Sequence, residues 1–245
     1  QMAGFLTWKW LGYEGLVLGH ASLAVLSSGL LMWAIRLRGV ELRFAILGTA
    51  LSYMVALPQI GTIRPQLFGT VAFPLVLLAT SLVPQRRHPS LWLPLLFIVW
   101  ANLHGSFALG LVTLGICALG DSWDAWREKG WAAVLADTRT RYRWWMAIAC
   151  CVASCVNPLG PFLLWKVACF GFSPALENIT EWQPLVIKSL GGSLFFLSVL
   201  LTAWILCRSQ RRLDTYEVLL LFVYALLALL SMRMLAWWAL IWPWV

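Results

Sequence analysis

A handful of polar residues in this 245-residue chain have types and settings that could do chemistry: Arg64 beside Pro65, Asn102 and His104 in one short run, Asn157 before Pro158, Glu181 before Trp182, and Arg233. A guanidinium is planar and permanently charged, and it meets phosphate or carboxylate through paired hydrogen bonds. An imidazole can donate, accept or exchange a proton near neutral pH. Two arginines with a carboxylate, an imidazole and two amides would suit an anionic group such as phosphate. Each residue also has a plainer role. Arg64 and Arg233 can be long side chains reaching for an interface, His104 can bond a nearby backbone, and Asn157-Pro158-Leu159-Gly160 can simply stop a helix.

The elements that must position these residues are membrane helices. Apolar residues make up 61% of the chain and charged residues 11%, with a mean hydropathy of +0.80. Soluble domains carry about 25% charged residues, and no soluble core of this length could hide so much apolar surface. The apolar runs are long and continuous, not alternating, so the expected fold class is all-α, a polytopic transmembrane helix bundle and not a β-barrel. The 17 Trp are expected at the water–bilayer interface. The net charge of +8 falls in short basic clusters between apolar runs, a membrane-loop pattern, and no nucleic-acid partner is expected. The six cysteines form no CxxC pair and read as packing residues.

Spans of roughly 20 apolar residues are expected at 15–35, 44–60, 66–83, 144–156 with a continuation past Pro158, 190–207, 216–231, and from 234 onward. The chain as a whole, 1–245, reads as a single transmembrane domain and, since it opens on Gln1 and ends within an apolar run, as a piece of a longer protein. Arg36, Arg38, Arg43, Arg86, Arg87, Arg127, Lys129, Arg139, Arg141, Arg143, Arg208, Arg211 and Arg212 belong to the cytoplasmic side by the positive-inside rule. That assignment requires both ends of 91–119 to be cytoplasmic, so this stretch is expected to double back as a hairpin of two short helices with Asn102–Gly105 at its tip. Irregular backbone at membrane depth is tolerated where it is buried in protein or lines a wet cavity. All the polar features named above then fall at the extracytoplasmic end. The stretch 121–143, with four acidic and five basic residues and three tryptophans, is expected to lie on the cytoplasmic surface as an amphipathic helix. The Asn178-Ile179-Thr180 triplet and Gly191-Gly192 carry little specific signal.

Arg64-Pro65-Gln66, then Trp100-Ala101-Asn102-Leu103-His104-Gly105-Ser106-Phe107, then Asn157-Pro158-Leu159-Gly160, then Ile179-Thr180-Glu181-Trp182-Gln183-Pro184, and a late Arg233 occur in that order. The set resembles bacterial membrane glycosyltransferases of the GT-C type, relatives of the dolichyl-phosphate-mannose and aminoarabinose transferases, over about residues 15 to 245. The resemblance implies an enzyme of the bacterial inner membrane that takes a sugar from a polyprenyl-phosphate donor at the extracytoplasmic face. On that reading Arg64 and Arg233 hold the lipid phosphate, His104 and Asn102 orient donor or acceptor, Asn157 lies beside them, and Glu181 assists. Such enzymes carry a catalytic acidic residue in a large outer loop ahead of the region matching Trp8–Gly15, and Glu14 does not replace it. No catalytic residue is therefore assigned. No cofactor is expected, although a divalent metal would be compatible with the resemblance. The contrasting reading is a non-catalytic transmembrane scaffold, one subunit among others of a photosynthetic or respiratory complex, which the dense tryptophans would suit. A transporter fits less well, because no internal repeat is visible and the polar groups gather at one face, not at the midplane.

Overall fold

Wherever the chain is apolar for a turn or more, the backbone must satisfy its own hydrogen bonds, and helices result. The computed structural model describes residues 2–61, 66–83, 91–171, 173–176 and 178–245. The α-helices in order are α1 (Met2–Leu37), α2 (Leu42–Ile60), α3 (Leu67–Leu82), α4 (Trp92–Leu103), α5 (Phe107–Lys129), α6 (Trp131–Ala136), α7 (Thr138–Ser154), α8 (Phe162–Phe170), α9 (Leu190–Arg208), α10 (Thr215–Leu230) and α11 (Leu235–Ile241), with one-turn 3-10 segments between α8 and α9 and before α11. No strand occurs among the described residues. The protein is an all-α membrane protein. Four stretches are long and apolar enough to cross a bilayer: Trp8–Leu37, Leu42–Ile60, Phe107–Lys129 and Leu190–Arg208. α1 kinks at Gly12, whose φ of 64° lies in the left-handed region that glycine tolerates.

The helices assemble around the C-terminal segment. Every residue of α11 is buried, as are Trp242 and Trp244 beyond it. Five tryptophans expected at an interface, Trp100, Trp237, Trp238, Trp242 and Trp244, instead belong to the core. Trp237 packs edge-on against Phe73 of α3, and Phe73 against Tyr224 of α10. A buried indole N–H needs an acceptor in lipid as elsewhere; Trp238 donates to Ser198 Oγ of α9 at 2.8 Å and Trp244 to Ser81 Oγ of α3 at 2.9 Å. Small hydroxyls tie other helices backbone to side chain: Ser27 of α1 donates to Thr70 O of α3 at 2.6 Å, and Ser52 of α2 to Ala239 O of α11 at 2.6 Å. Such hydrogen bonds and close small-residue contacts hold helices together where lipid removes the hydrophobic drive.

The stretch 91–119 is divided into two helices that meet at a three-residue turn, His104-Gly105-Ser106. Both pack on α7, and they touch each other where Gly110 lies under the rings of Phe97 and Trp100. The second helix is not short. It runs on to Lys129 because Gly120 lets it press onto the backbone of Tyr216 and because Asp121 and Asp124 find partners on other helices. The expected surface helix at 121–143 is accordingly replaced by the end of α5, the exposed α6 and the start of α7. Gly130, at φ 79°, breaks the first junction, and Asp137 caps the second by accepting the Thr140 amide at 2.7 Å. Arg86, on which the two-ended placement of the hairpin partly rests, lies outside the described residues.

Candidate functional site

Two polar groupings occupy opposite ends of the bundle. The first gathers at the turn between α4 and α5. His104 closes α4, its amide donating to Trp100 O at 2.9 Å. The Ser106 amide donates to His104 Nδ1 at 3.1 Å, and the Ser106 hydroxyl lies 2.8 Å from the same nitrogen. Ser106 Oγ in turn accepts from the buried Trp100 indole at 3.1 Å. A nitrogen that accepts a backbone N–H carries no proton, so the network assigns the imidazole proton to Nε2. Burial pushes the His104 imidazole below its ordinary range, and the nearby positive charge of Arg233 pushes the same way.

Arg233 is placed by a backbone zipper between two loops. Met232 donates to Gln183 O at 3.0 Å, Leu185 to Leu229 O at 3.1 Å, and Ser231 Oγ to Glu181 O at 3.2 Å. These contacts set the one-turn segment Thr180–Trp182 against Met232–Met234. Arg233 Nη1 then pairs with Glu181 Oε2 at 3.3 Å, and the guanidinium lies 5.3 Å from the centre of the Trp182 ring. Trp182 also packs edge-on against Phe170 of α8, ring centres 5.5 Å apart.

Of the residues picked out in the sequence, Glu181 and Arg233 are paired, and the positive charge of Arg233 acts on His104. Asn102 and Asn157 are near one another at the α4 and α7 ends, and their amides are engaged with backbone. Asn102 Nδ2 donates to Ile98 O at 2.8 Å and to Val156 O at 2.7 Å, which pins α4 to the end of α7. Asn157 Nδ2 donates to Ser154 O and Gly160 O while its Oδ1 accepts from Leu159 N at 2.8 Å, so it ends α7 and shapes the turn that follows. Arg64 lies outside the described residues. Trp182 and Ser106 were visible in the motifs but not singled out; the signal was their adjacency to Glu181 and His104.

The second grouping escaped the sequence reading. At the other end, Glu217 of α10 is fully buried and pairs with Arg38, just past the end of α1, and with Arg211 from the α9–α10 link. Arg38 also lies over the Trp244 ring at 4.3 Å. Alongside, Asp121 of α5 meets Arg139 and Arg143 of α7 at 2.8 and 2.6 Å, Arg139 meets Asp214 at 3.0 Å, and Asp124 accepts from the Thr215 amide at 3.0 Å. Four basic and four acidic side chains balance here. Their partners are 75 to 179 positions apart for the pairs that join α1, α7 and α10, so no local spacing announces them.

Among the described residues, no three His, Cys, Asp or Glu side chains come together in a way that could hold a metal ion. Comparisons with known proteins find no matching family model, and no curated protein or solved structure similar to this chain.

Proposed function

We propose that the chain is a membrane glycosyltransferase-like protein, a multi-pass protein of the bacterial inner membrane that uses a polyprenyl-phosphate-linked sugar at the extracytoplasmic face. The observation that carries this reading is the grouping of Arg233, Glu181, Trp182 and His104 at the end of the bundle opposite the charge-rich one. The charge-rich end holds Arg38, Arg139, Arg143 and Arg211, and by the positive-inside rule it is the cytoplasmic end. A guanidinium has five N–H donors, so pairing with Glu181 and binding a phosphate are compatible. The Trp182 face and the Glu181 carboxylate orient Arg233, and the neutral His104 ring presents an N–H donor without competing for the anion. Asn102 and Asn157 contribute by bracing the turn against α7. The internal pairing of Arg233 with Glu181 favours a second reading, a scaffold subunit whose outer loops are locked by that pair.

Binding of a polyprenyl-phosphate sugar to purified protein separates the two. Loss of a charge-assisted contact costs about 1.5–3 kcal/mol, so Arg233→Lys is expected to bind roughly ten- to a hundredfold more weakly; the same is expected of Arg64→Lys. Wild-type affinity in both variants, or a wild-type protein that binds no such lipid, would overturn the transferase reading in favour of the scaffold.

A further inference from the structure

The link between α5 and α7 presents apolar surface outward. No residue of α6 is buried, although its sequence is wholly apolar, and α6 packs on α5 and α7. Trp131 and Leu135 are one turn apart and share a helix face; they are 75% and 77% exposed. Trp131 also continues a row of rings. Its ring centre is 5.6 Å from that of Trp126, which is 4.9 Å from that of the half-exposed Trp123.

Depth decides what this strip meets. α5 has 23 residues and so a length of about 34 Å, slightly more than the roughly 30 Å hydrocarbon core. With the α4–α5 turn at the outer end, Lys129 reaches the inner edge of the bilayer, and α6 begins there. Indole rings favour that layer, being apolar in body and polar at the N–H. Charge decides which lipid. Arg127 lies one turn from Trp123, Lys129 three residues from Trp126, and Arg141 in the first turn of α7, and all three are exposed. The nearby aspartates are engaged: Asp121 with Arg139 and Arg143, Asp124 with the Thr215 amide, and Asp137 with that of Thr140. Glu128 is the one exposed carboxylate of the link, so exposed cations exceed exposed anions on this face by three to one.

We infer that the Trp123–Trp126–Trp131–Leu135 strip, with Arg127, Lys129 and Arg141, is a binding face for anionic phospholipid of the cytoplasmic leaflet. The rings enter the head-group layer and the cations meet head groups of net negative charge. A zwitterionic head group also carries an ammonium, which the same cations repel, so the face distinguishes the two. A soluble partner would have to push into the head-group layer to cover it. The face is separate from the outer site and does not depend on what that site binds. It also touches the fold, because Asp121 of α5 pairs with Arg139 and Arg143 of α7, and a lipid held along the link bridges the same two helices. A ligand that binds only the folded protein raises its melting temperature.

The test uses the whole chain in detergent micelles, titrated with phosphatidylglycerol or phosphatidylcholine, with bound lipid counted by native mass spectrometry. A phosphatidylglycerol carrying a diazirine near its head group locates the site. Labelling is expected on Trp123, Trp126, Trp131 and Leu135, displaced by unlabelled phosphatidylglycerol and not by phosphatidylcholine. Arg127→Gln and Lys129→Gln are each expected to bind phosphatidylglycerol roughly fivefold more weakly, with phosphatidylcholine unaffected. Glu128→Gln, which removes the opposing charge, is expected to bind it roughly fivefold more tightly, a gain that no folding defect can mimic. The melting temperature is expected to rise with phosphatidylglycerol in wild type and to rise less in Lys129→Gln. Equal binding of the two lipids by wild type, or displacement of the label by phosphatidylcholine, would assign the face to bulk lipid and overturn the inference. Unchanged phosphatidylglycerol affinity in all three charge variants would overturn it too. Label confined to other parts of the chain would do the same and leave the strip to a protein partner.

Discussion

His104 accepts at Nδ1 from the Ser106 amide, which only a neutral ring can do, and burial together with the Arg233 charge disfavours its protonation. In the unfolded chain the ring protonates near its ordinary value of about 6.5. The folded state therefore holds fewer protons just below that value, and stability is full above about pH 6.5 and falls as the pH drops through it. The melting temperature of the detergent-solubilised protein is expected to decline on going from about pH 7.5 to about pH 5.5, and to decline less in His104→Asn. Equal declines would show that the ring is not the group responsible. At the other end, Glu217 has a side chain wholly out of solvent and answers two arginines. Removing one member of a buried pair strands the other charge, at a cost of about 3–5 kcal/mol. Glu217→Gln should lose that much in an unfolding titration, while the Arg38→Met, Glu217→Leu double variant should recover most of it, because Arg38, the buried one of the two arginines, goes as well and the half-exposed Arg211 keeps its water.

At the scale of elements, the α4–α5 turn is the part that decides where His104 points. α4 has 12 residues and so a length of about 18 Å, well short of the roughly 30 Å hydrocarbon core. It therefore depends on neighbours for its position. Two glycines let those neighbours close in. A Cβ on Gly110 would fall 2.7 Å from the Trp100 ring and 2.9 Å from that of Phe97, and one on Gly69 would meet Ser106 Oγ and stand 3.0 Å from Trp237. Gly110→Ala is thus expected to overpack the α4–α5 contact, costing about 1–3 kcal/mol in thermal unfolding. It should also weaken lipid-phosphate binding, because Trp100 anchors Ser106 and Ser106 anchors His104. Gly115→Ala is the control on the same helix, since a Cβ there meets nothing.

For the whole molecule, the helix ends sort into two sets. The ends of α1 and α5, the start of α7 and the start of α10 meet in the Arg38–Glu217 and Asp121–Arg143 pairs, while the α4–α5 turn, the end of α7 and the loops around Glu181 and Arg233 lie at the other end. With the basic end cytoplasmic, a cysteine placed at Arg141 should react with a membrane-impermeant maleimide only in inverted vesicles. One at Asn178 should react only in intact spheroplasts. Labelling of both from one side would overturn the topology, and the extracytoplasmic placement of the site with it.

Residue types alone determined that this chain is helical and lives in a bilayer, and that the run Trp100–Phe107 must interrupt a span, but not every helix end, since α5 runs past 119 to Lys129 and α7 begins at Thr138. These follow from hydropathy, which acts locally along the chain, and from loop charge, which acts on each loop separately. Asn157 could be seen as a helix stop for the same reason, since its hydrogen bonds reach no further than three residues. Tertiary structure decided the remainder. Whether a tryptophan faces lipid headgroups or the core depends on which helix packs over it, so Trp238 and Trp244 became legible only with Ser198 and Ser81 opposite them. The pairing of Arg233 with Glu181, and of Arg38 with Glu217, joins residues 52 and 179 positions apart. A charge finds such a partner only after the helices between them have packed, because in lipid the packing sets which polar groups can reach one another.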